Sequence, residues 1–418
     1  MRSVDSFAEY QFRLRGFIAP LGPDDDAFNS LALELFNLQF GKVEPYRRLC
    51  ERRGVRPDTI TCWIEIPPVP TAAFKELELT SLPPTERTVV FHSSGTSGQR
   101  LSRHFHSTDS LAVYQSSLVP WFKDHLLPDA NRFTFIILTP SGALAPHSSL
   151  VHMLATIRRE LGSVESRFTG KTDETSAWLV DTAATLEALS LSVDTRRPIA
   201  LVGTAFSFVH LLDHLAEDEI GFLLPAGSRV METGGYKGRS RRLPRAELHG
   251  RITRQLGIPA SQIVCEYGMS ELSSQAYDRV VSKPASAMDE PTPSPSGGGE
   301  QLMGSTEPDL LRGGVRGGAI GTIRARKGSQ GLPASTPHRI FRFPPWVRSR
   351  IVSPETGLEV AEGESGLIQV YDLANVRSVL AVQTEDLGIR RGEGFELLGR
   401  AALAEPRGCS LMNASLGQ

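Results

Sequence analysis

The chain has 418 residues, 40% of them hydrophobic and 22% charged, with a formal net charge of -2. That length buries a large core and points to two lobes around a cleft, which excludes a peptide hormone or a small scaffold. The near balance of charge gives no general attraction to nucleic acid or an anionic membrane.

The amino-terminal MRSVDSFAEYQFRLRG has charges throughout and no apolar stretch of the secretory kind. Nowhere does an apolar run approach the roughly 18 residues of a membrane helix, so no membrane span is expected and the reading places the protein in the cytoplasm. After Asp24, Asp25 and Asp26 the apolar set Phe28, Leu31, Leu33, Phe36, Leu38 and Phe40 recurs near helical spacing until Gly41. Pro67, Pro68 and Pro70 then force extended chain, and residues 1–90 are read as a mainly helical region.

From there strands and helices alternate. RFTFIIL (132–138) precedes SSLVHMLATIRREL (148–161), and PIALVG (198–203) precedes FSFVHLLDHLAEDE (206–219). A third unit has SRVMET (228–233) as strand, AELHGRITRQLG (246–257) as helix and SQIVCEYG (261–268) as strand. The alternation predicts an α/β core over 91–281 with mixed, largely parallel sheets, and ligands in such folds bind at loops on strand ends. Between 282 and 337 the composition turns to Pro, Ser and Gly and cannot bury enough apolar surface to offset ordering entropy, so this stretch is expected to be a disordered insertion. Regular structure resumes at HRIFRFPPWVRSRIV and continues as strands GLIQVYDL (366–373), SVLAVQTEDLG (378–388) and GFELLGR (394–400). Residues 338–400 read as a β-rich subdomain and 401–418 as a tail.

Directly after the apolar pair Val89–Val90, and just past Phe91 and His92, runs a small-residue loop, Ser93, Ser94, Gly95, Thr96, Ser97 and Gly98. Glycines permit close backbone approach and hydroxyls can meet phosphate oxygens, so the loop suits a phosphate clamp, though taken alone it reads first as a polar turn. The four cysteines, Cys50, Cys62, Cys265 and Cys409, are scattered without a C-x-x-C pair. That scatter fits reduced thiols better than a disulfide frame or zinc site.

Four segments stand in order: SSGTSG (93–98), ETGGYKG (232–238), EYGMSE (266–271), and TEDLG (384–388) followed by GFELLGR. The order resembles the adenylate-forming superfamily. SSGTSGQRLSRHF, ETGGYKG, EYGMSELSSQAYD, FRFPPW and RGCSL look more closely like the acyl-protein synthetase family, the fatty-acid-activating component of bacterial luminescence reductase complexes. The resemblance covers about 1–280 and 338–412, and TEDLG departs from its pattern with Glu385 at the usual glycine.

The resemblance implies an adenylate-forming-enzyme-like α/β fold and an ATP-dependent, AMP-forming ligase. It would make an acyl-adenylate from a carboxylic acid, by the resemblance a fatty acid, and pass the acyl group to a protein cysteine as thioester. ATP and Mg²⁺ are the implied cofactors. Ser93, Ser94, Gly95, Thr96, Ser97 and Gly98 would cradle phosphates, and Glu271 would ligate Mg²⁺ beside Gly268 and Ser270, its alternative being a helix-cap acid. Asp386 would accept the ribose hydroxyls and Arg400 would contact ribose or phosphate, each otherwise a solvated turn residue. Gly234 and Gly235 would pack against adenine or form a plain turn, and Tyr267 would stack on that ring or fill core. Cys409, in RGCSL, would be the acyl acceptor, the alternative being an ordinary reduced thiol.

The superfamily's mobile carboxy-terminal domain with its catalytic lysine is expected to be lacking, since the sequence stops eighteen residues after Arg400. Positive charge from Arg100, Arg103 or His104 would substitute in part. Leu138, Thr139, Pro140, Phe206 and Phe208 could line an acyl tunnel or be simple core. Implied partners are an acyl-CoA-reductase-like protein or an acyl-carrier protein. Two further readings stay open: transfer to CoA, a carrier thiol or an amine, and a weakly catalytic nucleotide-binding subunit of a reductase complex.

Overall fold

The computed structural model describes residues 6–18, 24–93, 100–234, 243–281 and 339–401. Helices α1 (Phe7–Ile18), α2 (Asp25–Lys42) and α3 (Glu44–Arg52) open it. Asp24 starts α2 by accepting from the Ala27 amide at 2.9 Å, and Pro45 sits in the first turn of α3, where a missing N–H costs nothing. Past the prolines come β1 (Val69–Pro70) and the short α4 (Ala73–Glu76). The hairpin β2 (Val89–His92) and β3 (Arg103–His106) brackets the small-residue loop and leads into α5 (Thr108–Leu126).

The alternating section follows as β4 (Thr134–Ile137), α6 (Ser149–Leu161), β5 (Arg167–Phe168), β6 (Gly170–Thr172), β7 (Trp178–Val180), α7 (Thr182–Thr195), β8 (Ile199–Thr204), α8 (Ala205–Glu217), β9 (Arg229–Thr233), α9 (Arg245–Leu256), β10 (Ile263–Tyr267) and β11 (Ala276–Tyr277). The last part is β12 (Val347–Val352), β13 (Ser365–Asp372), β14 (Ala381–Arg391) and β15 (Gly394–Arg400).

The six-stranded sheet has the order β11-β10-β9-β8-β4-β5 and is parallel except for β11. Its strands are apolar on both faces because helices cover both: α8 and α9 on one side with Leu201, Phe208 and Ile252, and α5 and α6 on the other with Phe122, Leu154 and Val202. The second sheet, β1-β14-β13-β12 with β15 on β14, is antiparallel except where β1 joins β14. Its inner face shares one core with α1 to α3, where Tyr10, Phe28 and Phe36 cluster with Tyr371, Leu380 and Val382.

The predicted strand–helix units stand within a few residues of these bounds. Helix α5 was not foreseen; it carries Pro120 and buries the serines Ser110 and Ser117, which blur its apolar stripe. Its Ser117 Oγ accepts from Trp346 Nε1 and pairs with Ser274 Oγ, both at 2.8 Å, tying the two sheets together. The segment 282–338 lies outside the described residues. No helix among the described residues is long and apolar enough to cross a membrane.

Candidate active site

The hairpin brings Ser93, the first residue of the small-residue stretch, to the turn after β10. Ser93 Oγ accepts from the Ser102 amide at 3.1 Å, Ser102 Oγ lies 3.3 Å from Ser270 Oγ, and Ser270 Oγ donates to Glu271 Oε2 at 3.0 Å. Ser102 therefore links the two, through its amide to Ser93 and through its hydroxyl to Ser270 and so to the Glu271 carboxylate. Ser94, Gly95, Thr96, Ser97 and Gly98 lie outside the described residues.

The Ser270–Glu271 turn is held from two sides. From β3, His104 Nδ1 lies 2.8 Å from the Ser270 carbonyl oxygen. A carbonyl only accepts, so this nitrogen carries the proton. Burial pulls the His104 pKa down to about 4 against that hydrogen bond, leaving the ring neutral. The expectation that His104 supplies positive charge is therefore corrected. Arg100 and Arg103 are paired with Glu76 at 2.7 Å and Glu78 at 3.2 Å. From beyond β13, Asn375 Nδ2 donates to the Glu271 carbonyl at 3.0 Å. Asp372 accepts from the Ser273 amide and Ser274 Oγ, each at 2.9 Å, and burial pushes its pKa up to about 6 despite these bonds.

Glu271 itself is only 5% exposed. With Ser270 it offers oxygen donors alone, the set that a hard cation such as Mg²⁺ takes when phosphate and water complete its shell.

On the other face of β10, Tyr267 Oη donates to Asp386 Oδ2 at 2.9 Å. The Tyr267 ring lies edge-on to Phe341, Phe343 and Phe395 at 6.1, 6.2 and 5.4 Å between centroids. It packs in the core shared by the second sheet and holds Asp386 through this bond. Burial raises the Asp386 pKa, while the Tyr267 hydrogen bond and Arg400 pull the other way. Arg400 Nε stands 4.0 Å from Asp386 Oδ1 with its side chain 80% exposed, a loose pair that leaves both able to turn to a ligand.

Gly234 follows β9 at the same edge with open space where a side chain would stand; Gly235 lies outside the described residues. Gly268 is different. A Cβ there would run into Glu266 Oε1, so a side chain at this position would push that carboxylate aside.

Leu138 and Phe208 are buried in the core under α8, and Phe206 packs on His210 at 4.4 Å. Burial raises the thiol pKa of Cys50 to about 11 and that of Cys265 well above its ordinary value, so neither is a ready nucleophile. Cys409 lies outside the described residues. The sequence reading passed over His104 as a brace, together with Asp372, Asn375 and Glu266. Only the position of Glu266 beside Tyr267 could have drawn notice.

Comparison with known proteins adds the following. Residues 21–279 match the family model described as Acyl-protein synthetase, LuxE. Over 84 residues the chain is 32% identical to a long-chain-fatty-acid–luciferin-component ligase of Aliivibrio fischeri. That stretch is 18% of this chain and 22% of the relative, so the chain matches about a fifth of that protein's length. Among solved structures, 2-hydroxyisobutyryl-CoA ligase in its thioesterification state superimposes with a TM-score of 0.59 at 12% identity, covering 90% of this chain and 68% of that one. An open form of the same enzyme gives a TM-score of 0.54 at 13% identity over 90% and 74%. At such identity the likeness is one of fold, that of adenylate-forming enzymes.

Proposed function

Since the chain belongs to the Acyl-protein synthetase, LuxE, family, we propose that it activates a fatty or other carboxylic acid with ATP and loads the acyl group on a protein thiol. A carboxylate oxygen attacks the α-phosphorus, the bond to pyrophosphate breaks, and an acyl-adenylate results. The Cys409 thiolate then attacks the acyl carbon and AMP leaves, giving a thioester. The acyl group would pass on to a reductase-like or carrier partner.

The observation that carries this reading is the joining of three separate segments at the carboxy-terminal edge of β10: Ser93 through Ser102 to Ser270 and Glu271, and Tyr267 to Asp386. Hydroxyl and amide donors at Ser93 and Ser270 suit phosphate oxygens, and Asp386 suits the ribose hydroxyls. Mg²⁺, held by Glu271, would supply charge neutralisation for the phosphates. The chain's own part is to fix that carboxylate, through His104 and Asn375, where substrate and loop converge.

Exchange of labelled pyrophosphate into ATP, run with a panel of acids, tests the activation step. Glu271→Gln should lower exchange by about 10²-fold or more. Labelled acid with ATP should leave a hydroxylamine-sensitive label on the protein, and Cys409→Ser should abolish it while exchange persists. Undiminished label in that variant would move the acceptor to another thiol or to CoA. No exchange with any acid would refute activation itself.

A further inference from the structure

Beside the small-residue stretch two histidines stand next to each other. His92 ends β2, and His147 comes from the connection between β4 and α6. The backbone fixes their places, because the His92 amide donates to the His147 carbonyl at 2.9 Å. The rings are fixed as well. His92 Nδ1 lies 3.1 Å from the Ser102 carbonyl oxygen, and His147 Nδ1 lies 3.1 Å from that of Val90. A carbonyl only accepts, so each Nδ1 carries a proton, and in a neutral imidazole that leaves the lone pair on Nε2.

Among the described residues neither Nε2 has a hydrogen-bond partner. The other histidines around the hairpin are committed elsewhere: His104 and His106 are buried, and His152 Nε2 meets Gln115 Nε2 at 3.1 Å. His92 is half-buried and His147 exposed, so an ion can reach both. A proton on one ring nitrogen held by a backbone carbonyl, with the other nitrogen free, is how proteins orient an imidazole for a metal. Two imidazoles on one tetrahedral ion, with bonds of about 2.0–2.1 Å, have ring centroids roughly 5 Å apart. The His92 and His147 centroids are 5.0 Å apart, with the ring planes at 60°. Flat stacking would have wasted both lone pairs; this separation and tilt suit a shared ion.

We propose that His92 and His147 together bind a borderline divalent transition ion, of which Zn²⁺ is the example, and that the ion clamps the hairpin bearing Ser93 to the β4–α6 connection. No cluster of three or more histidine, cysteine or carboxylate ligands forms among the described residues, so water completes the shell and the ion binds reversibly. Imidazole nitrogen favours such ions over Mg²⁺, which takes oxygen. The site is therefore distinct from the one proposed at Glu271, and it does not depend on the activation reading.

The test is thermal denaturation of the full chain with Zn²⁺ alone, without nucleotide or acid. Saturating Zn²⁺ should raise Tm by about 2 °C or more, and Mg²⁺ at the same concentration should not. His147→Gln should remove the Zn²⁺ shift; the position is exposed, so the fold tolerates the change. His92→Gln should remove it too. One equivalent of Cu²⁺, read by electron paramagnetic resonance, should show coupling to nitrogens of two imidazoles in the wild-type protein and of one in His147→Gln. A Zn²⁺ shift of equal size in wild type and both variants would overturn the inference, as would a wild-type protein with neither the shift nor the nitrogen coupling. Either result leaves activation standing.

Discussion

Glu266 is a carboxyl that the fold holds against its own preference for water. Burial pushes it up to about 7, against the hydrogen bond from Thr233 and with the help of the neighbouring Glu232 charge. In the unfolded chain the same group loses its proton near 4.5. Between those values the folded state keeps a proton that the unfolded state has lost. The group's contribution is therefore most favourable below 4.5, declines as pH rises through the interval, and is level above 7. The whole swing is about 3 kcal/mol. Glu266→Gln removes this titration, so its stability relative to wild type should improve by up to that amount between pH 4.5 and pH 8, read from urea denaturation at each pH. A difference that stays constant across the range would show that the carboxyl titrates normally. At this scale the sequence singled out Ser270, Glu271 and Asp386 as candidates, because a short contiguous motif carries each of them. It did not show His104 or Asn375, whose bonds to the turn span 166 and 104 residues and exist only once the hairpin and the end of β13 have docked.

Among the elements, the strands and helices of the six-stranded sheet were legible because each is a continuous apolar run of strand or helix length; Thr204 even ends β8 and caps α8 at once, accepting from the Ser207 amide at 3.1 Å. What periodicity could not convey is how β13 and its following turn brace another sheet's loop. Asn375 Nδ2 bridges the carbonyls of Glu271 and Val379 at 3.0 and 3.2 Å, inside the core. Asn375→Leu strands both and should cost about 1–3 kcal/mol in urea denaturation. If the brace also positions the Glu271 carboxylate proposed to hold Mg²⁺, the variant should need more Mg²⁺ for half-maximal exchange than wild type at equal ATP. An unchanged Mg²⁺ curve in a folded variant would confine Asn375 to stability.

For the whole molecule, the two sides of the 282–338 segment are joined to each other. Arg339 Nη1 meets Asp278 Oδ2 at 2.6 Å in the interior, and Tyr277 and Arg342 form an antiparallel bridge. The chain thus leaves and re-enters the fold at one place. Replacing the segment with a Gly/Ser linker of about six residues should change the closure entropy by only about 2 kcal/mol. Tm should hold within about 5 °C and pyrophosphate exchange within a few-fold. A larger fall would show that the segment packs on the core. Composition alone had marked this stretch, whereas the sharing of one core by α1 to α3 and the second sheet left no local trace in the sequence. That sharing has a consequence for biosynthesis. Gln39 of α2 donates to the carbonyls of Asn375 and Val376 and accepts from the Leu380 amide, partners 336 to 341 residues downstream. At about 5–20 residues per second, a ribosome needs roughly 17 to 70 seconds to deliver them. For that interval Phe28, Leu35 and Phe36 lack the strands that cover them. The nascent chain is therefore a client for chaperones that bind apolar segments until β13 and β14 emerge, and ribosome-bound chains stalled before residue 373 should be captured by them more than chains stalled after 401.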